Sequence, residues 1–281
     1  MKFGLFYNTG VLGAGPGLLL AAARQAEDCG FESFYLPEHI ALYPDATVSG
    51  FTIPATTPVA DPLQCLSFVA AATSRILLGT GVLLLPYHHP VALAKRLATL
   101  DVLSRGRMRL LTVGVGALPG EAAAGGVDFA TRGRRADEAI DVLRLLWDGG
   151  EDGVSYDGEF YSFTSLCSYP KPLGRLPIHV GGSSRAAARR AGLRGDGYFP
   201  GGRLTRDERD AQLEEMRETA RAAGRDPDPL ECTRWGSIDM TADDVAAHAA
   251  QGTTRLIVGP SAPDQAGQRA EISAFAQRLG L

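Results

Sequence analysis

The chain lacks the features that would tie it to nucleic acid, membrane or metal. Its 28 Lys and Arg are interspersed with 32 Asp and Glu, giving a formal net charge of −4. No basic block stands out that could follow a phosphate backbone, so no nucleic-acid partner is expected. No segment approaches the roughly 18 apolar residues that a membrane helix needs, and no membrane partner is expected. Lys2 leads directly into a strand-like Phe3 to Tyr7, without the uninterrupted apolar core of a signal peptide. The four cysteines, Cys29, Cys65, Cys167 and Cys232, lie far apart and never in the spacing of a zinc knuckle or redox pair. They read as reduced thiols, and the expected location is cytoplasmic. His39, the His88-His89 pair, His179 and His248 share no metal-ligand spacing, so no metal is expected.

What the chain does have is an almost unbroken alternation of strand and helix patterns, with an apolar share of 45%, ample for a large core. Strands are expected at Phe3 to Tyr7, Ser33 to Pro37, Ile76 to Leu85 and Met108 to Gly114, followed by helices Leu18 to Cys29, Pro62 to Thr73, Pro90 to Leu103 and Arg134 to Trp147. The second half repeats the pattern with strands Pro177 to Val180, Gly197 to Phe199, Leu230 to Gly236 and Arg255 to Val258. Their helices are Arg185 to Leu193, Arg206 to Ala223, Ala242 to Gln251 and Asp264 to Leu279. Strands apolar on both faces and joined by helices imply a parallel sheet covered all round. Eight such units over residues 1–281 predict an α/β fold, a single-domain (β/α)8 TIM barrel, with an open doubly wound sheet as the alternative. Val154 to Phe163 alternates with period two about Asp157-Gly158 and reads as a β-hairpin inserted in the repeat. Residues Ala41 to Ala60 are too many for a plain turn and read as part of a lid.

In a barrel the chemistry belongs to the C-terminal ends of the strands. His39, after strand two, is the best-placed titratable group and is suited to giving or taking a proton, or else to holding its loop. Glu38 reads as pointing the other way and structural, and His88 and His89 as a loop pair at the same face, placed either to touch a substrate or simply to be solvated. Gly79-Thr80-Gly81-Val82 places glycines inside a Leu-rich strand, the mark of a bulge, a close approach or a barrel bend. Gly114-Val115-Gly116 lacks the spacing of a dinucleotide fingerprint and reads as a pocket floor kept free of side chains. Gly181-Gly182-Ser183-Ser184 runs from a strand straight into a helix, where free N–H groups, the dipole and two hydroxyls suit a phosphate; a serine N-cap is the plain alternative.

Ala26 to Ser33 leading to Pro37-Glu38-His39, Ala71 to Val82, Thr99 to Arg107 and Gly195-Asp196-Gly197 together resemble the luciferase-like monooxygenase superfamily, and within it the coenzyme F420-dependent oxidoreductase group. The resemblance spans nearly the whole chain and implies a (β/α)8 barrel and a homodimer. It implies a non-proline cis peptide at Gly81-Val82 supporting the coenzyme's central ring. It also puts the phosphate on Gly181, Gly182 and Ser183 and His39 near the redox ring. Thr80, Gly81, Val82, Gly114, Gly116, Gly181, Gly182, Ser183 and Ser184 are therefore the expected coenzyme residues, with His39 both coenzyme-binding and catalytic. One departure stands out. Sugar-phosphate dehydrogenases of this group carry Glu and Asn in the loop after strand four, where this chain has Ala117-Leu118-Pro119-Gly120-Glu121. The acidic proton donor is expected to be missing and the small-molecule substrate to be rather apolar. The expected function is hydride transfer between F420 and that substrate; the alternatives are an FMN-dependent monooxygenase and a coenzyme-binding protein without turnover.

Overall fold

A computed structural model describes residues 1–48, 50–201 and 204–281. Strand β1 (Lys2–Phe6) leads through α1 (Thr9–Leu12) and α2 (Pro16–Asp28) to β2 (Ser33–Leu36). The hairpin β3 (Thr47–Val48) and β4 (Phe51–Thr52) and helix α3 (Pro62–Ala72) precede β5 (Leu77–Thr80). After β6 (Leu83–Leu84) and a 3-10 turn at Leu85–Tyr87 come α4 (Pro90–Leu103), β7 (Met108–Gly114), α5 (Pro119–Ala124) and α6 (Arg132–Asp148). The predicted hairpin is present as β8 (Val154–Asp157) and β9 (Ser162–Leu166). Then follow β10 (Ile178–Gly181), α7 (Arg185–Arg194), β11 (Gly197–Phe199), α8 (Arg206–Ala222), β12 (Glu231–Trp235), α9 (Ala242–Ala250), β13 (Arg255–Val258) and α10 (Gln265–Leu279).

Parallel pairing runs from β1 through β2, β5, β7, β10, β11, β12 and β13 and returns to β1. Two contacts decide between ring and open sheet: Lys2 lies opposite Arg255, and Ile178 opposite Leu111. With both present the eight strands close, and the doubly wound alternative is excluded. The strands bury both faces because a closed barrel has an inside and an outer helical coat. Leu5, Phe34, Leu78, Leu111 and Val180 pack outward into the large core shared with the helices. Tyr35, Leu110, Phe199 and Ile257 fill the barrel itself. Burial of each such side chain is worth about 1.5–3 kcal/mol, which is why the apolar runs carry the fold.

Short polar signals start the helices. Asp61 accepts from Gln64 N at 2.8 Å ahead of Pro62, and Thr205 with Glu208 and Thr241 with Asp244 form reciprocal capping boxes. The N-terminal end of the barrel is closed by Arg255, 1% exposed, whose guanidinium donates to Glu32 Oε2 and Glu231 Oε2, each at 2.6 Å. At the opposite end the predicted strand Ile76 to Leu85 is interrupted. The Gly81-Val82 peptide is cis, and β6 resumes beside β7 with Leu83 opposite Val113. Residues 41–60 contain the β3–β4 hairpin; within that expected lid, Ser49 lies outside the described residues. No helix among the described residues is long and apolar enough to cross a membrane.

Candidate active site

The ends of β2, β5, β7 and β10 and the start of α7 surround a cleft of about 280 Å³, with Val48 of the β3–β4 hairpin at its rim. Its floor is built around Val82. A Cβ placed on Gly114 would lie 2.5 Å from Val82 Cγ2, and one on Gly181 2.5 Å from Val82 Cγ1. Two strand ends thus give up their side chains so that one valine can sit between them. At Gly114, the missing side chain leaves the room that Val82 fills. Gly116 differs: its φ of +80° falls in the left-handed region, and a Cβ there would overlap Tyr87 Oη. That phenol is buried without a partner, and burial first, then the nearby Glu121 carboxylate, push it up to about 12.

His39 borders the cleft, and its ring is held from behind. Nδ1 lies 3.1 Å from Glu121 Oε2, and Glu121 Oε1 accepts from Ile40 N at 2.7 Å. The Glu121 side chain is fully buried. With the carboxylate ionised, Nδ1 carries the donating hydrogen and Nε2 is left for the cleft. Residues 117–121, expected to lack the acidic proton donor, thus still bring a carboxylate to the site, behind His39 and not in the cleft lining. Ala117 does line the cleft, yet α5 turns Glu121 back beneath His39. The spacing that mattered is one of 82 residues between the partners, beyond any local pattern.

Glu38 makes structural contacts. It lines the cleft, donates nothing, and accepts from Leu84 N at 2.5 Å while His88 Nε2 sits 2.9 Å from its Oε1. His88 is therefore pinned and mostly buried, contrary to the solvated alternative, whereas His89 is exposed. The Glu38 contact ties the end of β2 to the chain just beyond the cis peptide.

At the other end of the cleft Gly181 and Gly182 lead into α7, whose N-cap Ser184 accepts from Ala187 N at 3.2 Å. The N–H groups of the first helical residues, Arg185 and Ala186, have no partner inside the helix and stand at its positive end. Arg190, about one and a half turns on, also borders the cleft, with Nε 2.6 Å from Asp137 Oδ1 and Nη2 2.9 Å from the Gly133 carbonyl. The arrangement is a cradle of the right polarity for a phosphate. Two expected residues stand aside. Thr80 is fully buried, its Oγ1 donating to the Thr112 carbonyl at 2.8 Å and accepting from Thr112 N at 3.0 Å, so it bolts strand to strand instead of touching a ligand. Ser183 is exposed outside the cleft lining, and its carbonyl accepts from Gln212 Nε2 at 2.5 Å. Among the described residues no group of His, Cys, Asp and Glu is placed to hold a metal ion.

A closed eight-stranded (β/α)8 barrel thus carries at its C-terminal face a cleft bordered by a histidine, a valine-centred floor and a helix N-terminus of a polarity suited to an anion. The chain belongs to the luciferase-like monooxygenase family, whose model matches residues 1–278. An uncharacterized protein of Mycobacterium tuberculosis is 32% identical over 289 residues, covering 91% of this chain and 99% of the relative. An F420-dependent glucose-6-phosphate dehydrogenase of Kineococcus radiotolerans is 33% identical over 251 residues, covering 81% and 71%. Among solved structures, an F420-dependent secondary alcohol dehydrogenase in complex with an F420-acetone adduct superposes with a TM-score of 0.81 at 19% identity, covering 99% of this chain and 97% of that one. Monooxygenase RslO1 from Streptomyces bottropensis matches at 0.70 and 26% identity, covering 100% and 80%.

Proposed function

We propose that this chain is a cytoplasmic F420-dependent oxidoreductase that moves a hydride between the deazaflavin and a small, rather apolar organic substrate. The observation that carries the reading is the His39–Glu121 pair facing a Val82 floor across from the α7 cradle. Relatives named as F420-dependent dehydrogenases support the coenzyme. The residues present fit such a group: Gly181, Gly182 and Ser184 with the start of α7 would hold its phosphate, and Gly81, Val82 and Gly114 would support its ring. The coenzyme, when bound, supplies the hydride-transfer chemistry.

The protein's own part is position and proton handling. Glu121 keeps the His39 Nδ1–H oriented, so Nε2 gives or takes the proton that accompanies reduction or oxidation of the substrate. Val48, Leu84, Val115 and Ala117 give the cleft apolar wall, which supports a substrate less polar than a sugar phosphate. A homodimer belongs to the same reading: α3 contains no charged residue and leaves Phe68 45% exposed.

The second reading, an FMN-dependent monooxygenase, is favoured by the similarity to RslO1. Fluorescence titration with oxidised F420 and, separately, with FMN separates the two. Selective F420 binding is expected; selective FMN binding moves the assignment to the monooxygenase, and binding of neither removes the cradle assignment. F420 binding without hydride transfer to any of a panel of ketones, alcohols and enones would leave a coenzyme-binding protein without turnover.

A further inference from the structure

Away from the cleft, the layer between the barrel wall and helices α8 and α9 holds two arginines that have no ion-pair partner among the described residues. Arg234 lies on β12 between Thr233 and Trp235. Trp235 packs with Phe6 and Phe199 at the barrel mouth, so the alternation of the strand turns Arg234 to the other side, the side of Cys232 and the helical core. Arg234 is 5% exposed, its Nη1 has no hydrogen-bond partner among the described residues, its Nη2 reaches the Arg209 carbonyl at 3.5 Å, and its other polar neighbour is the uncharged Cys232 thiol. Arg209, on α8, donates through Nη1 to the Leu204 carbonyl at 2.8 Å and leaves its buried Nε without a partner. His248 of α9 borders the pair: burial, then the charges of Arg209 and Arg234, lower its pKa, against a smaller opposing effect of Asp244. Asp244 itself is engaged at the Thr241 cap. Among the described residues no carboxylate forms an ion pair with Arg209 or Arg234.

A guanidinium cannot escape burial by losing its proton, so an unpaired one carries its full desolvation penalty. Buried charges in folded proteins are paired, and here the protein contributes only the cationic half. We propose that Arg234 and Arg209, with His248 at the edge, bind a small inorganic oxyanion between β12, α8 and α9. This site is separate from the cleft and does not depend on the proposed activity. It is connected to the cleft through α8: Gln212, three residues beyond Arg209, accepts from Tyr198 Oη at 2.7 Å and donates to the Ser183 carbonyl in the loop ahead of α7. An anion that fixes the first turns of α8 therefore also steadies the Gly181 to Ser184 loop.

Thermal unfolding of the full chain in low-chloride buffer, with inorganic phosphate titrated from micromolar to millimolar, tests the site. The wild type, Arg234→Met and Ser184→Ala are compared, the last because the α7 cradle is the other place where phosphate would bind. Expected is a saturable rise in Tm on the order of a few degrees for the wild type and for Ser184→Ala, and a clearly smaller one for Arg234→Met, which keeps only the α7 cradle. Without phosphate, Arg234→Met should unfold no lower than the wild type, since an unpaired buried charge has been removed. If Arg234→Met does not fold, Arg209→Met is read in the same way. A wild type indifferent to phosphate, or a rise in the arginine variant as large as in the wild type, overturns the proposal.

Discussion

At the scale of single residues, the cleft depends on two kinds of contact: side chains that are absent and a charge held from behind. Gly181→Ala would drive a methyl group to 2.5 Å from Val82 Cγ1, with Val113 O at 3.4 Å leaving little room to move. Overpacking of this kind costs about 1–3 kcal/mol, which urea denaturation would read, and the displaced valine should weaken F420 binding as well. The His39–Glu121 pair makes a different prediction. His39→Ala should lower kcat by about 10²–10⁴-fold, the usual contribution of a positioned proton donor or acceptor. Glu121→Gln keeps an acceptor for Ile40 N but loses the carboxylate that orients Nδ1, so a smaller loss of kcat than in His39→Ala is expected. Unchanged steady-state kinetics in His39→Ala would remove that residue from the chemistry while leaving the coenzyme site intact.

At the scale of elements, the start of α7 carries both stability and binding. Ser184 caps the helix through Ala187 N, and loss of such a cap costs about 1 kcal/mol. Ser184→Ala should therefore lower stability by that amount and also raise the Kd for F420, because the same turn presents the free N–H groups. A stability loss with an unaltered Kd would reduce Ser184 to a plain cap, the alternative its sequence leaves open. Helix α5 shows the limit of local pattern. Pro119 to Ala124 is short and Ala-rich, without a readable apolar period, and its importance comes from delivering Glu121 across the mouth to a histidine on another strand end. Similarly, β5 and β6 read as one continuous Leu-rich strand, and only their pairing with β7 shows where the chain breaks and resumes.

For the molecule as a whole, the N-terminal end of the barrel sets an acid limit on stability. His179 is inside the barrel, 2% exposed, and burial outweighs the attraction of Glu231 to hold its pKa down to about 4. Unfolded, the imidazole titrates near 6.5. Between those values the unfolded chain binds a proton that the folded one refuses, so stability falls as pH drops from about 6.5 to about 4, by up to about 3 kcal/mol, and the loss is complete below that window. Glu231 adds to the same trend further down. Burial opposes its ionisation, but Arg255 and Lys2 prevail and lower it to about 2, so its contribution is present above its ordinary range and lost as pH falls toward 2. His179→Gln should flatten the pH dependence of Tm between pH 6.5 and 4 while leaving the lower part; an unaltered slope would assign the acid sensitivity elsewhere.

The amino-acid sequence by itself determined the order and number of the βα units, because runs apolar on both faces alternate with helical periods and have no other way to bury that surface. It also marked His39 and the Gly-Gly-Ser-Ser turn, since a titratable group after a strand and hydroxyls before a helix are local patterns. Tertiary structure alone decided ring over open sheet, through the pairing of β1 with β13 and β7 with β10. It alone brought Glu121 to His39 and Glu38 to His88, turned Thr80 away from the cleft, and set Arg209 beside Arg234. Those outcomes rest on side-chain contacts between elements far apart in the chain, which no window of neighbouring residues contains.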